Sequence, residues 1–91
     1  MIKMVKVVKL KPLGEYRLWV KFSDGAEGIR DYSDMIAEGG HMVEPLRDPQ
    51  FFGKAFISMG IPTWPNGYDV DAIALYTELE EANLLTANAA A

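Results

Sequence analysis

The sequence predicts an α+β domain: an antiparallel β-meander of three N-terminal strands, two further short strands, and a C-terminal helix packed on the sheet. Three observations carry this prediction. Residues 15–22 alternate, with Tyr16, Leu18, Val20 and Phe22 on one parity and Glu15, Arg17, Trp19 and Lys21 on the other. That period of two marks a half-buried strand. Asp24-Gly25 follows at once and signals a hairpin, because Asp-Gly suits the primed turns that match strand twist. Near the other end, apolar residues recur at helical spacing after Asp71, a residue type suited to an N-cap.

In chain order, residues 2–11 read as the first strand. Ile2, Met4, Val8 and Leu10 share one parity, and Lys3, Lys9 and Lys11 the other. Val5-Lys6-Val7 breaks the alternation, which a bulge or a strand covered on both faces would produce. Pro12-Leu13-Gly14 reads as a connection. After the central strand 15–22, Ala26 to Tyr32 returns as the third. Ser33 is placed to cap a short helical turn, Asp34 to Ala37, that Gly39-Gly40 ends. Asp48 before Pro49 reads as an N-cap followed by proline at the first helical position. Phe51 and Phe52 anchor that short helix, and Gly53 can stop it. Lys54 to Met59 forms strand four, with Ala55, Ile57 and Met59 on one face and Phe56 on the other. Gly60 bends the chain into a short fifth strand, Ile61 to Trp64. Pro62 and Pro65 confine that strand to an edge or end of a sheet.

The last helix is expected from Ala72 to about Ala82. Its apolar stripe is Ile73, Tyr76 and Leu79, or Leu75, Leu79 and Ala82, with Thr77, Glu78, Glu80 and Glu81 outward. Glutamates near a helix C-terminus oppose the helix dipole, which hints at a cationic partner. Leu84-Leu85 would extend the apolar face, and residues 86–91 read as a tail. The domain is thus expected to span residues 1–85.

Composition limits the function classes. The chain of 91 residues suits one small domain, and its 49% hydrophobic content excludes disorder. It has no cysteine, hence no disulfide framework and no thiolate metal site. No apolar run approaches the roughly 20 residues of a membrane span, and the start does not read as a signal peptide, so the expected setting is cytoplasmic. Net charge is −4, unevenly spread: residues 1–21 carry six cations against Glu15, and residues 22–91 carry three cations against twelve carboxylates. An acidic chain is a poor general nucleic-acid binder, because phosphate contacts supply most of that affinity. The lysines from Lys3 to Lys11 are the only candidates for such binding.

Chemistry-bearing motifs are scarce. His41 is the only histidine. It lacks the company a metal ligand needs and any identifiable nucleophile to serve as base. Ser23, Ser33 and Ser58 lack a nucleophile-elbow context, and no phosphate-binding loop is present. The densest stretch is Thr63 to Asp71. There Trp64, Pro65, Asn66 and Gly67 form a braced turn, Asp69 is expected to tie it down, and Asp71 to cap the helix. Trp19 stands on the polar face of its strand between Arg17 and Lys21. An indole beside cations is a residue type enriched at interface hot spots.

Leu18-Trp19-Val20-Lys21-Phe22-Ser23-Asp24-Gly25, then Pro45-Leu46-Arg47-Asp48-Pro49-Gln50-Phe51-Phe52, then Trp64-Pro65-Asn66-Gly67-Tyr68-Asp69 and Leu75-Tyr76 occur in that order. Together they resemble the domain-of-unknown-function family 2442, over roughly residues 2–80. Many relatives carry a proline just before the last helix, where this chain has Asp71-Ala72. The resemblance implies a small bacterial α+β domain with no established enzymatic activity, often encoded beside a small protein of the domain-of-unknown-function family 4160, in an arrangement like a toxin–antitoxin pair. Some relatives add a helix-turn-helix domain, and this chain is expected to end too soon after Leu85 for one.

The reading is therefore a protein-binding module, the antitoxin-like member of such a pair, with no catalytic activity and no cofactor. Its candidate partner-binding residues are Arg17, Trp19 and Lys21 on the sheet, and Glu78, Glu80 and Glu81 on the last helix. Self-association of the two oppositely charged ends is a further expectation. The alternative is a small-molecule-binding or enzymatic domain using the Trp64–Asp69 turn.

Overall fold

A computed structural model describes residues 4–86. Three strands, β1 (Val7–Gly14), β2 (Arg17–Phe22) and β3 (Glu27–Asp31), form an antiparallel sheet in the order β1-β2-β3. Next come the short helix α1 (Ser33–Glu38), a 3-10 turn (Glu44–Arg47) and the single turn α2 (Pro49–Phe52). A second antiparallel pair, β4 (Phe56–Ser58) and β5 (Ile61–Thr63), precedes the last helix, α3 (Ala72–Glu81). The architecture is α+β, as the alternation and the helical spacing predict.

The core lies on one face of the three-stranded sheet. Leu18, Val20 and Phe22 of β2 are buried there with Leu46, Phe52, Trp64, Leu75 and Leu79. Aromatic rings meet edge-on or tilted, as their quadrupoles favour. Phe22 and Tyr76 are 4.9 Å apart between centroids, Tyr16 and Phe52 5.4 Å, and Phe52 and Trp64 5.4 Å.

The first strand departs from expectation. Val5 and Val7 are buried, whereas Met4 and Val8 are exposed. The register shifts between Val7, opposite Phe22, and Lys9, opposite Lys21. The extra residue at Val8 reverses the facing of the strand before it, so of the set Ile2, Met4, Val8 and Leu10 only Leu10, opposite Val20, packs on the core, Met4 and Val8 face out, and Ile2 lies outside the described residues. Pro12-Leu13-Gly14 is not a connection but the end of β1, with Pro12 opposite Leu18. Proline is tolerated because β1 is an edge strand. The turn falls instead on Glu15 and Tyr16, both at positive φ, +55° and +60°. Tyr16 offsets that backbone cost by packing on Phe52 and donating its hydroxyl hydrogen to the Arg47 carbonyl.

Other local corrections have equally plain causes. The hairpin between β2 and β3 is not a two-residue primed turn. Phe22 N–H donates to Ala26 O and Gly25 N–H to Phe22 O, with Gly25 at φ +92°, a three-residue loop closed by a left-handed glycine. Ser33 does not cap α1; it is the first helical residue, and Asp31 accepts from its backbone N–H and its hydroxyl. Met59 does not share the Ile57 face. It sits at φ +53° in the β4–β5 turn with 91% of its surface exposed. The buried stripe of α3 is Ala72, Leu75, Tyr76 and Leu79; Ile73 is half-buried and Ala82 exposed.

Beyond α3, Asn83 turns the chain at φ +58°, and Thr86 exchanges both backbone hydrogen bonds with Glu27 on the outer edge of β3. Thr86, expected in the tail, is thus an added rung of the sheet. Gly28 makes this approach possible, since a Cβ there would lie 2.7 Å from the Leu84 carbonyl oxygen. Residues 87–91 lie outside the described residues.

Candidate functional site

The Trp64–Asp71 stretch is built inward. Trp64 has no exposed surface, and its indole N–H donates to the Phe52 carbonyl at 2.9 Å. Trp64 N–H donates to Tyr68 O and Gly67 N–H to Trp64 O, closing the turn over Pro65 and Asn66, with Gly67 at φ +91°. The side chain that ties the turn is Asn66 rather than Asp69: its amide oxygen accepts from Tyr68 N–H and its NH2 donates to Met42 O. Asp69 contributes backbone, bridging Thr63. Asp71 accepts from Ala74 N–H at 2.9 Å and caps α3. Trp64 is spent on the core, which leaves Tyr68 and Asp69 as the stretch's surface groups.

The opposite face of the sheet is open. Directly paired residues on antiparallel strands point to the same side, so the register defines this face. Trp19 lies between Lys11 and Ile29, Lys21 between Lys9 and Glu27, and Arg17 between Gly14 and Asp31. Trp19 is half-buried, whereas Ile29 is 42% exposed. Four cations, Lys9, Lys11, Arg17 and Lys21, thus surround an apolar centre of Trp19 and Ile29, with Glu27 and Asp31 along the β3 side. Sequence reasoning placed Arg17, Trp19 and Lys21 together but missed Ile29. The signal was available, because Ile29 holds the parity of Glu27 and Asp31.

The acidic side of α3 divides. Glu80 and Glu81 are exposed. Glu78 accepts from Arg30 at 2.9 Å, so one of the three carboxylates already has a cation within the fold. Arg30 also donates to both oxygens of Asp34, at 3.1 and 3.3 Å, and its guanidinium stacks 4.6 Å from the Tyr32 ring centroid. This one side chain joins β3, α1 and α3. Burial lowers its pKa, but the hydrogen bonds it donates to Asp34 and Glu78, with the charges of those carboxylates, more than offset that and raise it overall. The Arg30 bond in turn holds the Asp34 carboxyl below its usual range. Arg30 shares the core-facing parity of Ala26, Gly28 and Tyr32, and a cation at such a position signals a partly buried ion pair.

Beside this hub a cleft of 340 Å³ lies between α1, the 68–71 segment and the first turns of α3. Arg30 lines it from β3, Tyr32 from the residue between β3 and α1, Glu38 from α1, and Tyr68 and Asp69 from the turn. Burial pushes the Tyr68 hydroxyl up, and the charges of Asp69 and Glu38 add to that. Among the described residues no three His, Asp or Glu side chains converge on a metal position, and no helix is long and apolar enough to cross a membrane.

Residues 7–81 match the model of the family described as a protein of unknown function, DUF2442. The chain belongs to this family. No curated protein and no solved structure matches it. The matched span opens at the first residue of β1 and closes at the last residue of α3. Both the basic sheet face and the braced turn therefore lie within the DUF2442 domain.

Proposed function

We propose that this DUF2442 domain works by docking another protein through the open face of its three-stranded sheet, without a catalytic step of its own. The observation that carries the reading is Trp19, half-buried beside exposed Ile29 and flanked by Lys9, Lys11, Arg17 and Lys21. An aromatic anchor inside a charged rim is the usual anatomy of a binding hot spot. The matching partner surface is apolar at its centre and acidic at its edge, and such charge matching speeds encounter more than it deepens affinity. The finer reading is an antitoxin-like member of a pair, with a small protein of the domain-of-unknown-function family 4160 as its partner. It is supported by the resemblance in the sequence blocks.

Calorimetric titration of the chain with that partner tests the proposal. Trp19→Ala is expected to weaken the complex by about 1 kcal/mol or more, with the far-UV spectrum and melting temperature of the free domain retained. Absence of binding, or equal affinity for Trp19→Ala, contradicts it. Sedimentation of the chain alone distinguishes a second outcome, in which the basic face meets Glu80 and Glu81 of another copy and the mass rises with concentration.

A further inference from the structure

The two outer edges of the three-stranded sheet are finished differently. The β1 edge is blunted: Pro12 has no N–H to offer, and Val7 N–H donates to Gly60 O in the β4–β5 turn. The β3 edge is open. Its register against β2 is unbroken, with Phe22 N–H donating to Ala26 O at one end and Tyr32 N–H to Tyr16 O at the other. Hydrogen bonding alternates along an antiparallel pair, so Gly28 and Arg30 turn their backbone groups toward β2, while Glu27, Ile29 and Asp31 turn theirs outward. Glu27 exchanges both of its bonds with Thr86. The chain reaches that rung from beside Gly28, where the Leu84 carbonyl lies, so it does not continue opposite Ile29. The Arg30 guanidinium donates to Asp31 O. Among the described residues, Ile29 N–H, Ile29 C=O and Asp31 N–H are left as a template for another strand.

A strand added antiparallel to β3 places its side chains at defined positions. The residue opposite Asp31 points to the open face of the sheet. Asp31 is exposed there and accepts from Ser33 on Oδ1 alone, and its β2 neighbour Arg17 bonds to Gly14 O instead. A cation suits that position. The next residue points to the other side, into a groove of 490 Å³ between the end of β3 and the last turns of α3. Ala82 and Leu84 line that groove, and Leu84 is 52% exposed, so an apolar side chain suits it. The third residue stands opposite exposed Ile29 and is apolar as well. A second copy of β3 does not fit. Pairing about Ile29 would set Asp31 of one copy against Glu27 of the other, a like-charge pair, at the rung that Thr86 already fills.

We infer that the outer edge of β3 receives an extended segment of a partner polypeptide as an added antiparallel strand, read as cation–apolar–apolar against Asp31, the Leu84 groove and Ile29. Main-chain bonds hold such a segment, and the alternating side chains select it. The contact uses the Ile29 backbone and not the Trp19 ring, so it stands or falls separately from docking on the sheet face.

The test titrates the isotope-labelled full chain with the blocked peptide acetyl-Thr-Lys-Leu-Val-amide. Two comparison peptides carry N-methylvaline in place of valine, which removes the donor to Ile29 C=O, or glutamate in place of lysine. Saturable shifts and slowed exchange are expected at the amides of Ile29 and Asp31 with the parent peptide. Each comparison peptide is expected to bind about tenfold more weakly or worse, through a lost hydrogen bond that leaves the carbonyl blocked, or through repulsion at Asp31. Leu84→Ala is expected to weaken binding of the parent peptide while the amides of β2 keep their shifts. Equal affinity for the N-methylated or the glutamate peptide, undiminished binding by Leu84→Ala, or shifts that spare Ile29 and Asp31 overturns the assignment. Exchange at Ile29 that slows as the concentration of the free chain rises would place a second copy on this edge, and overturns it equally.

Discussion

Trp64 shows how much of this fold rests on single residues. Its ring lies against Phe52, Tyr32 and Tyr68, and its indole N–H closes on the Phe52 carbonyl. Trp64→Ala removes the largest buried side chain and one of the two donors to that carbonyl, the other being Ala55 N–H at 3.3 Å. The expected loss is about 3–5 kcal/mol, read from denaturant unfolding, a large share of a small domain's stability. An unshifted midpoint would remove Trp64 from its central place. Gly28 works by what it lacks. Gly28→Ala puts a methyl group 2.7 Å from the Leu84 carbonyl oxygen, so the chain from Leu84 to Thr86 must move off β3. Faster amide exchange at Thr86 and Glu27 is the expected signature, with the amides of β2 unchanged. The braced turn over Pro65, Asn66 and Gly67 was legible in the sequence, because proline and Asn-Gly leave few backbone choices. The need for glycine at position 28 was not, since it depends on a segment more than fifty residues later.

At the scale of elements, local patterns read well where a single physical cause dominates. Strand β2 alternates cleanly and is flanked by strands on both sides, so its register followed from its parity. The cap of α3 also followed, and Asp71→Ala is expected to cost about 0.5–2 kcal/mol, with helix loss near Ala74 on thermal melting. Strand β1 was misread because one bulge residue, Val8, reverses every side chain before it. The Glu15-Tyr16 turn was misread because neither residue favours positive φ; only the distant contacts of Tyr16 with Phe52 and Arg47 select it. The junction of β3, α1 and α3 through Arg30 predicts a pH response. The Arg30 bond lowers the folded pKa of Asp34, so its contribution is present above the unfolded value of about 3.9 and is lost as pH falls through the lower folded value. Asp34→Asn should flatten the acid limb of the stability curve. Tyr32 moves oppositely, since burial raises its pKa. Its contribution is full below the unfolded value of about 10 and is lost as pH rises toward the folded one. Tyr32→Phe should shift alkaline unfolding to higher pH, and an unchanged alkaline limb would contradict the buried, neutral hydroxyl.

Across the whole molecule, the two ends of the sequence differ in charge, and the fold converts this into surfaces. Lys9, Lys11, Arg17 and Lys21 gather on the open sheet face, while Asp34, Glu38, Asp69, Asp71 and Glu78 gather with Arg30 around the cleft. The sequence showed the imbalance but not the arrangement. Glu78 looked like a surface charge in want of a cation, and Arg30, forty-eight positions earlier, supplies it. Nor could the cleft be read ahead, because its walls come from four separate segments. The docking proposal rests on Trp19, and the chain has only two tryptophans, one without exposed surface and one half-buried. Acrylamide quenching of their fluorescence therefore reports on the sheet face, with Trp19→Phe isolating the signal of Trp64. In the free domain the quenchable emission should belong to Trp19. On saturation with the small protein partner, a docked sheet face predicts that this emission becomes inaccessible to acrylamide. A complex that forms while Trp19 stays as quenchable as in the free domain would contradict the account.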